Sequence, residues 1–176
     1  MSKRITFQFE DDLDYQMQAI HSTVELFRGL SRHVDGVYRY NRIHDVTQGN
    51  PIRNNDIVVG SRLLENLRRV QLSNDLFADN VLAEGNNFTI EMETGTGKTY
   101  VYLRTILELY QEYGFRKFMI VVPSIAIRKG VEKSMEQLAD HFKRLYNIDI
   151  GKHSFIYDSN NPKQISSKLV ESNDLS

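Results

Sequence analysis

The feature that most constrains this chain is the segment METGTGKT at positions 92–99. It follows the pattern G-x-x-x-x-G-K-[ST], in which glycines let the backbone turn tightly so that successive N–H groups converge on phosphate oxygens. Gly95 and Gly97 supply that freedom here. Met92 stands where the pattern has glycine, at the end of an expected strand, where a side chain pointing into the core is tolerated. The segment therefore predicts a phosphate-binding loop.

The polar residues of this loop have separate expected roles. Lys98 places a point charge against the β- and γ-phosphates, and the Thr99 hydroxyl is a ligand for Mg²⁺. The helix that follows directs its N-terminus at the same anion. We expect a nucleoside triphosphate and its Mg²⁺ to be held by Thr94, Gly95, Thr96, Gly97, Lys98 and Thr99. Lys98 is the one residue of this set for which a catalytic role is expected.

Hydrophobic patterns around the loop predict an α/β fold. Residues 88–92 alternate between apolar and polar types, as in a short strand, and the apolar run 118–122 suits a parallel strand buried on both faces. Residues 153–157 are a third expected strand. Helical spacing predicts one helix from Lys98 to Gly114 and another over 131–145. The order strand, loop, helix, strand, helix, strand implies a parallel sheet with flanking helices.

Upstream of the loop, apolar spacing predicts two further helices. The first covers residues 13–27 and stops at Gly29, and the second covers 57–70. The polar residues 31–56 between them predict a long irregular connection. Three arginines on the second helix are expected to form a solvated face, with a DNA-backbone contact as the alternative: Arg62, Arg68 and Arg69.

Composition narrows the classes of function. The 176 residues are about one domain in length, and 22 basic against 23 acidic residues do not indicate a dedicated nucleic-acid-binding domain. The absence of cysteine excludes disulfides and Cys-based zinc sites, and the five histidines have no metal-ligand spacing. Neither a signal peptide nor a membrane span is expected, and a cytoplasmic setting fits.

Three segments together resemble superfamily 2 helicases and translocases. They are Tyr15-Gln16-x-Gln18-Ala19-Ile20, the loop METGTGKT, and Val121-Val122-Pro123-Ser124. In that group the first is similar to the Q motif, whose glutamine reads adenine, and the resemblance assigns this role to Gln16 and implies ATP as the nucleotide. The loop is similar to motif I. The third segment is similar to motif Ia, which contacts the DNA backbone, so the resemblance implies DNA contacts at Ser124, Arg128 and Lys129.

A narrower resemblance covers nearly the whole chain. The segments FTIEMETGTGKTYVYLRT at 88–105 and GFRKFMIVVPSIAIRKGV at 114–131 resemble the Res subunit of type III restriction-modification enzymes. This implies a partial RecA-like P-loop NTPase domain. It also implies the restriction subunit of a type III endonuclease, which drives translocation and cleavage of double-stranded DNA with ATP, together with a modification (Mod) methyltransferase subunit. One departure is Lys129, where an acidic residue is expected after Arg128.

The resemblance also implies which further motifs and domains members of the family contain. Motif II, the second motor domain and the nuclease motif are not among these residues, so we expect 1–176 to be the N-terminal part of motor domain 1 and to hydrolyse ATP little or not at all. Self-association of such a fragment through an open sheet edge is expected. Two alternatives remain: another superfamily 2 DNA helicase or type I restriction motor subunit, and a nucleotide-binding module without turnover.

Overall fold

The computed structural model describes residues 13–29, 32–34, 37–39, 61–79, 81–82 and 86–157, with the backbone alone for 32–34 and 37–39. Its elements are α1 (Asp14–Glu25), β1 (Arg32–Val34), β2 (Val37–Arg39), α2 (Ser61–Ser73), α3 (Lys98–Tyr113) and α4 (Ile125–Tyr146). The chain divides into two compact units. Unit 2 is Asp14–Phe118, and unit 1 is Met119–Ser176 with Met1–Leu13.

Helix α1 begins with Asp14, whose charge suits the positive end of a helix dipole. It buries Ala19 and Ile20 against Val101 of α3, and this contact between α1 and α3 is the centre of unit 2. A turn follows the helix and ends at Gly29, where φ is 63° and the left-handed conformation favours glycine. The expected N-terminal helix and its stop are confirmed.

Helix α2 packs against α1 through a stripe that contains one polar residue. Leu63 is 1% exposed, and Asn66, three residues further along the same face, is also 1% exposed. The Asn66 amide nitrogen donates to the carbonyls of Leu26 and Arg28, each at 2.9 Å. These carbonyls belong to the turn that ends α1, where helical partners run out. Asn66 therefore joins the end of α1 to the middle of α2.

Helix α3 has the limits expected from the sequence. It begins at Lys98 and ends before Gly114, whose φ is 70° and whose N–H donates to the Tyr110 carbonyl at 2.8 Å. A glycine in the left-handed conformation is a common way to end a helix, because it satisfies carbonyls that lack helical partners. The predicted helix between these two residues is confirmed.

An aromatic cluster closes unit 2 beyond the ends of α1 and α3. Phe27 and Phe115 meet edge to face with ring centroids 5.0 Å apart, and Tyr113 lies 6.2 Å from Phe27. Phe118 extends the cluster, 6.3 Å from Phe115. Such tilted and edge-to-face arrangements are the favoured geometries of aromatic pairs. The cluster holds the two helices together at the end opposite to the loop that precedes α3.

Strands β1 and β2 correct part of the expected irregular connection at 31–56. They pair antiparallel with Arg32 opposite Arg39 and Val34 opposite Val37. The sequence between them is Asp35-Gly36, a dipeptide that two-residue hairpin connections favour, so this pairing needs only local chain. The rest of that predicted connection lies outside the described residues.

The expected parallel sheet is not formed in the part of the chain that the structure describes. Residues 88–92, 118–122 and 153–157 belong to no helix or strand there, which corrects the three strand predictions. The apolar side chains stay open to solvent, with Met119 79% and Val121 82% exposed. A strand exists only where a second backbone completes its ladder of hydrogen bonds, and apolar patterning alone does not supply one.

Helix α4 is the main element of unit 1. The Ser124 hydroxyl accepts from the Ile127 N–H at 3.2 Å and caps the first turn. The helix buries Leu138 and Phe142, two residues of the predicted stripe, and ends at Asn147 in the left-handed conformation. The predicted third helix is confirmed and is longer than expected. Among the described residues, no helix has both the length and the apolar character that a membrane crossing requires.

Candidate functional site

The backbone of the loop at 92–99 depends on its two glycines. Gly95 has φ 84° and Gly97 has φ 82°, a region that residues with a Cβ rarely adopt. Between them the chain turns sharply and then enters α3 directly, with Gly97 as the residue preceding the helix. This alternation of conformations is how backbone N–H groups come to point into one concave space, which is suited to an anion.

The N-terminus of α3 is open for a ligand. Gly97 occupies the capping position, and no side chain accepts a hydrogen bond from the first turn there. The first N–H groups of a helix have no helical partner, and together they carry the positive end of the helix dipole. Lys98 and Thr99, the first two residues of α3, stand at this end. The arrangement favours a phosphate group at this position.

Hydrogen bonds inside the loop gather its carbonyls around the lysine. The Lys98 ammonium donates to the carbonyl oxygens of Met92 and Glu93, each at 2.5 Å. The Thr96 hydroxyl donates to the same Glu93 carbonyl at 2.7 Å. The lysine charge therefore lies within the curve of the loop. Glu93 takes part in this arrangement through its backbone carbonyl, and the residue is exposed to solvent.

Gln16 of α1 holds the loop from the side. Its side chain is buried, at 7% exposure, and its Nε2 donates to the Thr96 carbonyl at 2.9 Å. A Cβ placed on Gly97 would lie 2.5 Å from this nitrogen, a distance that real Cβ atoms do not show. Gly97 is thus favoured by its backbone conformation, and any side chain there would also have to displace the Gln16 amide.

Met92 fits the loop despite replacing the glycine of the general pattern. It is partly buried and packs against the cluster of Ala19, Ile20 and Val101. The expectation that its side chain points into the core is confirmed. The start of the loop is therefore anchored in the contact between α1 and α3.

The other predicted residues of this site lie in the same unit. Thr94 is exposed in the turn of the loop, and Thr99 is partly exposed in the first turn of α3. The structure thus brings together Gln16 and the whole loop, which are 80 positions apart in sequence. Among the described residues, no group of three or more histidines and carboxylates is placed to hold a metal ion.

The three residues predicted to contact DNA all belong to the start of α4 in unit 1. The Ser124 hydroxyl is already engaged as the cap of the helix. Arg128 Nε lies 3.4 Å from Glu132 Oε1, an ion pair across one helical turn that lacks hydrogen-bond alignment. Lys129 is exposed. The cap and the ion pair are local contacts, and both leave donors of these side chains for other partners.

The sequence analysis gave no role to two residues, Asn66 and Tyr15, of which only Tyr15 lies near the loop. Asn66 of α2 is buried against the end of α1, and its Oδ1 accepts a hydrogen bond from Arg69 Nη2 at 2.7 Å. Its position three residues after Leu63 on an apolar stripe was a usable signal, because a buried polar residue needs partners. Tyr15 places its hydroxyl 3.5 Å from Gln16 Nε2. No local pattern distinguishes it from a solvated tyrosine.

The loop, the helix behind it and the buried contact with α1 together define a P-loop protein. A family model described as "Type III restriction enzyme, res subunit" matches residues 11–170. The chain belongs to this family. Membership implies a RecA-like P-loop fold, although the parallel sheet itself is not formed among the described residues.

Individual relatives agree with the family. The chain is 28% identical over 149 residues to the type III restriction-modification enzyme EcoPI Res subunit of Escherichia phage P1, a stretch that is 82% of this chain and 14% of that protein. It is 37% identical over 89 residues to the EcoP15I Res subunit of Escherichia coli, covering 48% of this chain and 9% of that protein.

A third relative is the StyLTI Res subunit of Salmonella typhimurium strain LT2, which is 47% identical over 62 residues. That stretch is 34% of this chain and 6% of the relative. The chain therefore spans 14% or less of the length of these curated relatives.

Proposed function

We propose that unit 2 binds ATP with Mg²⁺ and is the ATP-binding portion of the restriction subunit of a type III restriction endonuclease. The observation that carries the proposal is the way in which the loop passes directly into the first turn of α3. Gly95 and Gly97 turn the backbone at positive φ into the uncapped start of α3, where Lys98 stands within the loop. Oriented N–H groups, a helix dipole and an ammonium group all favour a polyphosphate at one place.

The surroundings of the loop suit a triphosphate. A Cβ on Gly95 would meet nothing within 4 Å, so the described residues do not crowd the turn at this position. Lys98 donates to two carbonyls there, and it would exchange these neutral acceptors for phosphate oxygens, to which charge-assisted hydrogen bonds are stronger. Thr99 would offer its hydroxyl to Mg²⁺, which supplies charge neutralisation between the β- and γ-phosphates.

The nucleobase would be read by Gln16. Its amide nitrogen is fixed on the loop at Thr96, and its oxygen is the acceptor that an adenine amino group needs. Since Gln16 touches the loop directly, the position of the base and that of the phosphates would be set by one contact. The same contact supports Gln16 as part of the ATP site.

For the full-length protein, we propose ATP-dependent translocation and cleavage of double-stranded DNA together with a Mod methyltransferase subunit, in the cytoplasm. The names of the relatives support the restriction role. Contacts to DNA phosphates would come from the start of α4, at Ser124, Arg128 and Lys129. The apolar runs at 88–92 and 118–122 would become parallel strands of a RecA-like sheet when further backbone pairs with them.

A polypeptide of these 176 residues would bind ATP without turning it over, because phosphoryl transfer also needs a metal-holding acid and a charge-stabilising arginine supplied by later motifs. We expect phosphate release at the rate of a protein-free blank. Release at the pace of a motor ATPase would overturn this part of the proposal and leave ATP binding intact.

The direct test of the binding proposal is thermal unfolding with increasing Mg-ATP. A ligand that binds only the folded chain stabilises it by about 2.7 kcal/mol at a hundred times its Kd, and the effect grows with concentration. We expect the melting temperature to rise steadily with Mg-ATP. The same chain with Mg²⁺ and adenosine is the control, and no rise with ATP over that control would contradict a formed phosphate site.

A further inference from the structure

Two arginines meet around one carboxylate where α1 ends. Arg28 Nη1 donates to Glu25 Oε2 at 2.9 Å, and Arg69 Nη1 of α2 lies 3.9 Å from the same oxygen. The buried Asn66 amide fixes both arginines, because it donates to the Arg28 carbonyl and accepts from Arg69 Nη2. The Arg28 and Arg69 side chains are 63% and 53% exposed. Two guanidinium groups are therefore held at the surface with one shared carboxylate.

Arg62, in the first turn of α2, adds a third positive charge to this end of α1. A Cβ built on Gly29 would lie 3.0 Å from Arg62 Nη1, so this guanidinium group lies against the turn that follows Arg28. Residues 25–29 and 61–69 contain four arginines and two glutamates. They carry an excess of positive charge in a chain whose formal net charge is −1. The excess is local and suits an anionic partner.

Strands β1 and β2 bring two more arginines close to the same place. Arg32 follows Gly29 by three residues, so the chain allows a separation of at most about 11 Å between them. The register pairs Arg32 with Arg39. Like charges directly opposite each other destabilise an antiparallel pair, so the pairing of the strands gains nothing from this placement. An anion bound beside both arginines would offset the repulsion.

We propose that five arginines form a surface that binds the phosphates of a nucleic acid: Arg28, Arg32, Arg39, Arg62 and Arg69. Guanidinium groups bind phosphates through paired hydrogen bonds. Residues 25–29 and 61–69 expose no large apolar side chain, of the kind that anchors a protein partner. We call these five residues the arginine surface.

The arginine surface is separate from the phosphate loop. Gln16, which contacts the loop, lies in the first turn of α1, and Arg28 lies beyond the end of this helix. The 12 residues of α1 span about 18 Å. Binding of a nucleic acid here therefore requires no nucleotide in the loop, and the inference goes beyond the contacts proposed at the start of α4.

Contacts to phosphates predict a particular dependence on sequence and salt. They carry no sequence information, so the arginine surface should bind any sequence. Each contact releases condensed counterions, so the logarithm of the binding constant falls with the logarithm of the salt concentration. The slope is about 0.9 per contact for duplex DNA and about 0.7 for a single strand. The slope therefore measures how many arginines bind phosphate.

The test is fluorescence anisotropy of the 176-residue chain over a series of salt concentrations. The labelled probes are a short DNA duplex of arbitrary sequence, one of its single strands, and polyglutamate. The variants are Arg62→Gln, and Arg32→Gln combined with Arg39→Gln. The matched control is Arg144→Gln, which removes the same charge from an exposed position in the last turn of α4. Far-ultraviolet circular dichroism establishes that each variant keeps its helices.

We expect the double variant to weaken DNA binding by about tenfold and to lower the duplex slope by about 1.8, because two phosphate contacts are lost. Arg62→Gln should lower the slope by about 0.9, and Arg144→Gln should stay within about twofold of the parent. Whichever of the duplex and the single strand binds more tightly is the ligand.

Three results would overturn the arginine surface. The first is a parent chain that binds neither DNA probe, or a double variant that binds both as the parent does. The second is an equal loss in Arg144→Gln, which would mean that net charge alone matters. The third is polyglutamate that binds as tightly as DNA. A parent chain that binds DNA but not Mg-ATP would instead contradict the proposed function and support the arginine surface.

Discussion

At the scale of single residues, the two loop glycines have the same backbone and different surroundings. Their φ angles are 84° at Gly95 and 82° at Gly97. A Cβ at Gly95 would meet nothing within 4 Å, whereas one at Gly97 would lie 2.5 Å from Gln16 Nε2. The sequence pattern predicted a need for glycine at both positions. It did not predict the contact with Gln16, because that contact depends on how α1 packs.

This difference predicts that Gly97→Ala lowers the melting temperature more than Gly95→Ala does. Both variants incur the left-handed cost of a non-glycine residue, about 1–2 kcal/mol, and Gly97→Ala must also displace the Gln16 amide. In a Gln16→Ala background the excess should vanish, as a double-mutant cycle of thermal unfolding would measure. Equal losses in the two backgrounds would mean that Gln16 does not approach the loop in solution.

At the scale of elements, local signals were sufficient for helices and insufficient for strands. The limits of α3 could be predicted because the residues that begin and end a helix act within a single turn of backbone. Lys98 and Gly114 are such residues. The strands expected at 88–92 and 118–122 depend on partners far along the chain, and no local pattern supplies these. The resemblance to superfamily 2 motors assigned Gln16 and the loop to one site. Hydrophobic periodicity could not do so, because it describes only local structure.

The prediction at the scale of elements concerns Asn66, which connects α1 and α2. Asn66→Ala removes the donor shared by the Leu26 and Arg28 carbonyls at the end of α1. Leaving buried polar groups without partners should lower the free energy of unfolding by about 2 kcal/mol. Urea denaturation measures this. The control is Ser73→Ala at the exposed end of α2, where we expect little change, and a similarly small effect of Asn66→Ala would contradict the joining role of the amide.

At the scale of the whole molecule, an apolar surface lies open in unit 1. Met119 is 79% exposed and Val121 is 82% exposed, next to Ile120 at 39%. Consecutive exposed apolar residues are unusual in soluble chains and favour association. The sequence predicted this run as a buried strand. Its exposure follows from the missing ladder partner, and the self-association of these 176 residues stays a prediction.

We therefore predict that light scattering finds a mass that rises with concentration for the parent chain. Val121→Lys should reduce this rise, because a charge within an exposed apolar segment opposes edge-to-edge pairing of such segments between copies of the chain. The control is Glu136→Lys on the exposed side of α4, which changes charge without touching the apolar run. A parent chain that stays monomeric at all concentrations would remove the hypothesis.

The central claim is that the loop before α3 binds the phosphates of ATP, and calorimetric titration of Lys98→Ala with Mg-ATP tests it most directly. Lys98 donates only to loop carbonyls in the contacts described above and is exposed, so its loss should spare the fold. We predict that the parent chain and Lys133→Ala, which loses an exposed lysine of α4, bind ATP alike, while Lys98→Ala loses at least tenfold in affinity, in keeping with charge-assisted bonds of about 1.5–3 kcal/mol. Equal affinity of Lys98→Ala and the parent would contradict the account.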